Sequence, residues 1–366
     1  MTTSNILSQL GSPGVSTGFK NRIINGAMVI DQRNAGASVT PVNSGYTLDR
    51  WSWSLSQASK LTSQQNAGSV TPPVGFTNYL GVTSSSAYSV LSSDYFAVGE
   101  AIEVANASDL GWGTANAKTV TLSFQVYSSL TGTFGGSLVN YGSYNYSYPF
   151  SYTVSSANTW TQISVTIAGP TSGTWTTTSN SGLILLRFGL GSGSTFSGTA
   201  NAWAAGNFVQ PTGSVSVVGT SGATFYITGV QLEVGTSATN FDYRPYTTEL
   251  ALCQRYCCAF DNRVYSQTYY KFGVATWTGT TSAMVNVSFP VAMRVPPTSM
   301  TASTVNSFFW IETGTTNFTS CTMDQVSDKA GTFLLSGGSG GQPAGYGGRA
   351  LSNTTAAAYV IFSAEL

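Results

Sequence analysis

Up to Tyr246, apolar and polar residues alternate in short runs separated by Gly, Ser, Asn and Pro, the pattern of an antiparallel β sandwich. Thr119 to Tyr127 is the cleanest run: Val120, Leu122, Phe124 and Val126 share one face, Thr121, Ser123 and Gln125 the other. Trp160 to Ile167 repeats the device through Ile163, Val165 and Ile167. Leu183 to Leu190 scarcely alternates, which predicts a central strand covered on both faces. Nearer the start, Lys20 to Arg33 and Tyr46 to Trp53 read as two short β segments flanking a loop. Ala223 to Tyr246 closes the region. Phe225 and Ile227 fall on odd positions, Val230, Leu232 and Val234 on even ones, and the change crosses Gly229. Reversing the inward face needs one extra residue, so a bulge is predicted at Gly229. Arg244-Pro245 then stops ladder or helix alike, and places a boundary near Tyr246.

Helical spacing follows only after that stop. Thr247 to Phe260 predicts a connecting helix over 247–260, with Glu249 in its first turn. Leu250, Cys253, Cys257 and Phe260 form its docking or oligomer stripe. Alternation resumes at Ala283 to Phe289, with further strands at Phe308 to Ile311, Phe333 to Leu335 and Ala357 to Phe362. A glycine-rich loop, Ser336 to Gly348, separates the last two. The expected organisation is an arm at 1–20, a β domain at 21–246, the helix, and a second smaller β-sandwich domain at 261–366.

Composition narrows the functions. Only 8% of residues are charged, Lys and Arg balance Asp and Glu at 14 each, and histidine is absent. Between Asp109 and Glu233 only Lys118 and Arg187 carry charge at neutral pH. Such a surface of hydroxyls, amides and rings suits sugars and protein contacts, and it lacks the Lys/Arg clusters that nucleic-acid binding needs. Aromatics at 13% argue against disorder. The start shows no secretory signal, and the longest aliphatic run, Leu183 to Leu186, is far short of the ~20 residues of a spanning helix, so a soluble chain with no membrane insertion is expected.

Candidate chemistry is sparse. The 4 cysteines are Cys253, Cys257, Cys258 and Cys321. With no His and no paired C-x-x-C knuckles, they read as buried free thiols rather than metal ligands, with a bridge to Cys321 left open. Glu100 and Glu103 lie three apart, on opposite faces of a strand, and His-based triads are excluded. Neither catalysis nor a cofactor is expected. The best binding candidates are rings: Tyr141, Tyr144, Tyr146 and Tyr148 around Gly142, Asn145 and Pro149, Trp175 among threonines, and Tyr346 in the glycine loop.

Several ordered motifs carry a resemblance. They are Asn21 to Met28 with Asp31-Gln32-Arg33, Tyr46 to Trp51, Ile227 to Gly235, Phe241 to Pro245, and Glu249 to Cys257. Together they resemble the fibre or receptor-binding proteins of tailed bacteriophages, most strongly those of phages of cyanobacteria and other aquatic bacteria. The resemblance implies a jelly roll of the carbohydrate-binding-module kind for 21–246 and a distal, receptor-binding C-terminal β domain. It also implies a homotrimer in the virion tail, made in the host cytoplasm, joined to other tail or baseplate proteins through 1–20, and adsorbing to a host surface glycan. Jelly rolls of that kind hold a calcium through acids where this chain has Ala27, Met28, Thr228 and Gly229, so no metal is expected here. The alternatives are a decoration or connecting fibre on capsid, neck or baseplate, and, less favoured, a glycan depolymerase.

Overall fold

A computed structural model describes residues 19–263, 267, 269–303, 309–311, 318–338, 341–352 and 358–366. The arm assigned to 1–20 therefore lies almost wholly outside the described residues, as do Phe308 and Ala357. The first unit holds fourteen strands: β1 Tyr46–Leu48, β2 Trp51–Leu55, β3 Leu61–Gln65, β4 Leu80–Ser84, β5 Tyr95–Glu103, β6 Val120–Ser128, β7 Gly132–Asn140, β8 Tyr146–Val154, β9 Thr161–Ile167, β10 Gly182–Ser192, β11 Ser197–Gly198, β12 Ala204–Ala205, β13 Gln210–Pro211 and β14 Thr224–Val234. They build a 7-stranded sheet, β1-β2-β5-β10-β7-β8-β12, facing a 5-stranded sheet, β3-β4-β14-β6-β9, in which neighbours pair antiparallel. Between them lies one core, with Trp51, Trp53, Phe96, Phe124, Phe150, Phe188 and Phe225 buried. This is an all-β, jelly-roll sandwich.

The expected bulge is present. Thr228 pairs with Gln125 and Gln231 with Ser123, so β14 spends one more residue than β6. Gly229 sits there at φ +61, a left-handed conformation that favours glycine. The bulge also marks a change of partner: β4 pairs with Thr224 to Ile227, and beyond it the chain near the N-terminus lies alongside, through Val230 N to Gly26 O at 2.9 Å and Arg22 N to Leu232 O at 2.9 Å. That segment corrects the first of the two β segments expected at 20–33. Left-handed backbone at Asn25 and Met28 breaks it, and it runs as turns.

The helix needs a correction too. Helix α1 covers Tyr246–Gln254, and Cys257–Asp261 forms strand β15 instead of a further turn. Cys257 and Phe260 are therefore not on a helical stripe with Leu250 and Cys253. Two tertiary demands override the helical spacing. The backbone from Cys257 pairs residue for residue with Tyr359–Ser363, and Tyr256 is pinned beneath the Arg50 guanidinium, 3.6 Å from its ring centre, with its hydroxyl donating to Glu103 at 2.5 Å. Cys253 packs within its own chain against Ile24, Ile30 and Tyr256, while Phe260 meets Phe362 edge-on.

Beyond α1 come β15, then β16 Lys271–Gly279, β17 Ser282–Ser288, β18 Ser299–Ala302, β19 Phe309–Ile311, β20 Ser320–Val326, β21 Ala330–Ser336, β22 Gly347–Ser352 and β23 Tyr359–Ser363. They form a 3-stranded sheet, β15-β23-β18, and a 6-stranded sheet, β19-β22-β16-β17-β21-β20, around Trp277, Phe333 and Phe362. The chain's final residues return to the first unit. Glu365 pairs with Arg50 and with Arg33 at 2.7 Å, and Tyr46 donates its hydroxyl to Leu366 O at 2.9 Å. Arg50 is 1% exposed, and its other terminal nitrogen donates to Ala101 O. All four cysteines are free thiols.

Two predictions concern this junction. Glu365→Ala leaves the buried Arg50 guanidinium only the longer contact to Glu100 at 3.9 Å and is expected to cost about 3–5 kcal/mol in chemical denaturation; a loss within ~0.5 kcal/mol would show that the pair is not stabilising. Glu100 is fully buried with one oxygen unbonded, and burial, opposed by Arg50, pushes its carboxyl up to about 8. A raised carboxyl holds its proton in the fold, so its contribution is complete below the unfolded value and is lost as pH rises through about 8. The melting temperature is expected to decline over that interval, and Glu100→Gln to lessen the decline; an identical slope in the variant would refute the assignment.

Candidate functional site

The outer face of the 7-stranded sheet carries small residues at its centre, with Gln210 packed over Gly189. In the register, Arg187 lies between Gly99 and Ser137, and Gly189 lies opposite Ala97, which pairs onward with Ser54. Small residues on β2, β5 and β7 thus leave a depression around one long side chain. The chain from Ser194 to Pro211 arches over one flank, carrying Phe196, Asn207 and Val209, and Asn43 and Ser44 form another wall. The resulting groove has a volume of about 260 Å³ and is lined also by Tyr95, Tyr144 and Leu185; none of the lining residues is a carboxylate.

Arg187 is 4% exposed. Its Nε donates to Ser137 Oγ at 3.1 Å, Nη1 to Asn207 Oδ1 at 3.0 Å and Nη2 to Phe208 O at 2.7 Å. Every acceptor is neutral, and burial lowers its pKa to about 10. Tyr144 stands in a left-handed conformation at φ 46, rare for a bulky residue and a mark of stored strain. Asn140 holds the turn by accepting from Asn145 N at 3.0 Å and Tyr146 N at 2.9 Å.

The aromatic candidates separate into three places. Tyr144 lines the groove, and Tyr141 packs against it edge-on at 5.6 Å. Burial, with Tyr144 beside it, pushes the Tyr141 phenol up to about 12. Tyr146, Tyr148 and Trp175 are drawn into a different cluster around Trp203, with ring centres 5.7, 5.4 and 5.8 Å from it, and Trp112 5.5 Å away. Their indoles are already satisfied: Trp112 donates to Lys118 O at 3.0 Å, Trp175 to Ser172 O at 3.1 Å and Trp203 to Ala168 O at 2.7 Å. This cluster packs onto the core. Tyr346 is exposed in the second unit, next to the β16 backbone, apart from the other candidates. Glu100 and Glu103 turn to different partners, Ile24 N and Arg255, and neither lines the groove.

Sequence reasoning missed Arg187, Asn207, Tyr95 and Phe196 as site residues. Arg187 had a visible signal, since it is the charged residue inside the apolar run Leu183 to Leu190. A larger hollow of about 650 Å³ borders Phe76, Phe241 and Tyr243. Those rings pack on one another at 4.9 to 5.6 Å, and Phe76 covers the space left by Gly229, so their surface is committed to the bulge.

No family model matches the chain, and no curated protein matches it. Among solved structures, the chain is similar to the enzymatically active domain of tailspike protein 4 of bacteriophage CBA120, at 12% identity and TM-score 0.34, covering 59% of this chain and 21% of that one. A second is TmCBM61 in complex with β-1,4-galactotriose, at 9% identity and TM-score 0.30, covering 59% and 99%. A third is the family 11 carbohydrate-binding module of a Clostridium thermocellum cellulosomal cellulase, at 10% identity and TM-score 0.27, covering 56% and 99%. The chain spans 21% of the tailspike's length.

Proposed function

We propose that this chain is a non-enzymatic structural and adhesion protein of a phage tail, and that it holds a host-surface glycan in the groove on the 7-stranded sheet. The groove is the observation that carries the sugar-binding part. It joins the rings of Tyr95, Tyr144 and Phe196 to the amides and hydroxyls of Asn43, Asn207, Ser44 and Ser54, which suits the apolar faces and hydroxyl edges of a pyranose. Its freedom from carboxylates supports binding without hydrolysis, since glycoside cleavage uses two acids across the bond. The tail assignment draws on the ordered sequence motifs. In this reading three copies assemble, residues 1–20 attach to tail or baseplate proteins, and the second β unit is the distal part.

Two measurements test it. Tyr144→Gly removes the ring at a position whose left-handed backbone glycine adopts without strain. Binding to immobilised host-envelope glycans is expected to weaken about tenfold, a change of ~1.4 kcal/mol. Unchanged binding with an intact fold would sink the groove assignment. Antibody labelling of intact particles is expected to mark the tail, and label confined to the head would favour a capsid decoration.

A further inference from the structure

Resting on that reading, we propose that the groove selects an acidic sugar and that Arg187 receives its carboxylate. A guanidinium carries five N–H donors, and Arg187 uses one on each nitrogen, which leaves one on Nη1 and one on Nη2 without an acceptor among the described residues. Among the described residues it makes no ion pair, although the other buried arginine, Arg50, pairs with Glu365, and the half-buried Arg33 and Arg244 pair with Glu365 and Glu249. A buried cation without a counter-charge is costly, and its retention in a ligand-sized depression points to an anion supplied from outside.

The neighbouring acids are all committed elsewhere. Asp94, just before β5, accepts from Ser56 Oγ at 2.9 Å, Gln57 at 3.2 Å, the Tyr88 hydroxyl at 2.8 Å and Leu91 N at 2.9 Å. Glu100 extends from the opposite face of β5, and Glu103 is taken by Arg255 and Tyr256. The ionisable groups that do face Arg187 are the phenols of Tyr144 and Tyr95, which can donate to a carboxylate and flank a sugar ring. Guanidinium N–H groups match carboxylate oxygens well, and a charge-assisted bond there is roughly twice as strong as a neutral one. Neutral walls with one cation at the floor therefore bind a uronate or another carboxylated sugar, with the sugar body against the rings. Sulfated sugars share the negative charge and form the second arm of the test.

The experiment titrates the full chain by calorimetry with oligogalacturonate and oligoglucuronate, with their methyl esters, and with a sulfated neutral oligosaccharide. At least one uronate is expected to bind tenfold or more tighter than its ester, and Arg187→Gln to erase that difference. Asn207→Asp covers the case in which the arginine variant does not fold. It sets a carboxylate where Asn207 Oδ1 now meets Nη1, neutralises the cation internally, and is expected to erase the same preference. Equal affinity for acid and ester overturns the inference, as does tighter binding of the sulfated sugar. If neutral glycans still bind and Tyr144→Gly weakens them, the groove stands and only its acid selectivity falls. If nothing binds, or Tyr144→Gly has no effect, the groove assignment itself fails.

Discussion

The pairing of Arg50 with Glu365 is the constraint on which the rest of the arrangement turns. Arg50 lies at the corner between β1 and β2, 1% exposed, with Tyr256 beneath it and Ala101 O beside it. Taking a guanidinium so far out of water is costly, and a charged partner with well-placed hydrogen bonds offsets that cost. The partner comes from the far end of the second β unit. One ion pair therefore ties the sandwich corner, Tyr256 just beyond helix α1 and the chain's last residues into a single requirement.

Around it gather the residues behind the phage-fibre resemblance. Asn21 bridges Val230 O at 3.0 Å and Leu232 N at 3.0 Å beside the bulge, Asn25 links Ile30 to Asp49 O, and Gln32 joins Asp49 at 2.6 Å to Cys257 O at 2.7 Å. Glu233 ties down Thr239, and Arg244 meets Glu249 at 3.3 Å. These side chains satisfy buried backbone where no regular ladder can, which is why so many polar residues occur in otherwise apolar text. Their role is to join parts of the molecule. The groove lies on other residues.

That division explains what was legible in the sequence. Strands such as Val120–Ser128 and the bulge at Gly229 were readable because alternation records which face meets the core. The end of the helix was not, because Cys257 and Phe260 keep helical spacing while the distant strand Tyr359–Ser363 claims their backbone. Nor was the groove. It depends on small side chains at Ala97 and Ser137 and none at Gly99, set side by side only by the sheet register. Tyr144 was among the aromatic candidates, but nothing local distinguishes it from Tyr146 and Tyr148, which fold inward onto Trp203.

The last residues also set a clock. Arg50 leaves the ribosome 315 positions ahead of Glu365. At ~5–20 residues per second that interval is on the order of 15 to 60 s. During it the sandwich corner holds a cation with no carboxylate from β23's end to neutralise it. The corner's cation therefore lacks its Glu365 partner until the later unit has been made. The junction is thus the last part of the molecule to be completed during synthesis.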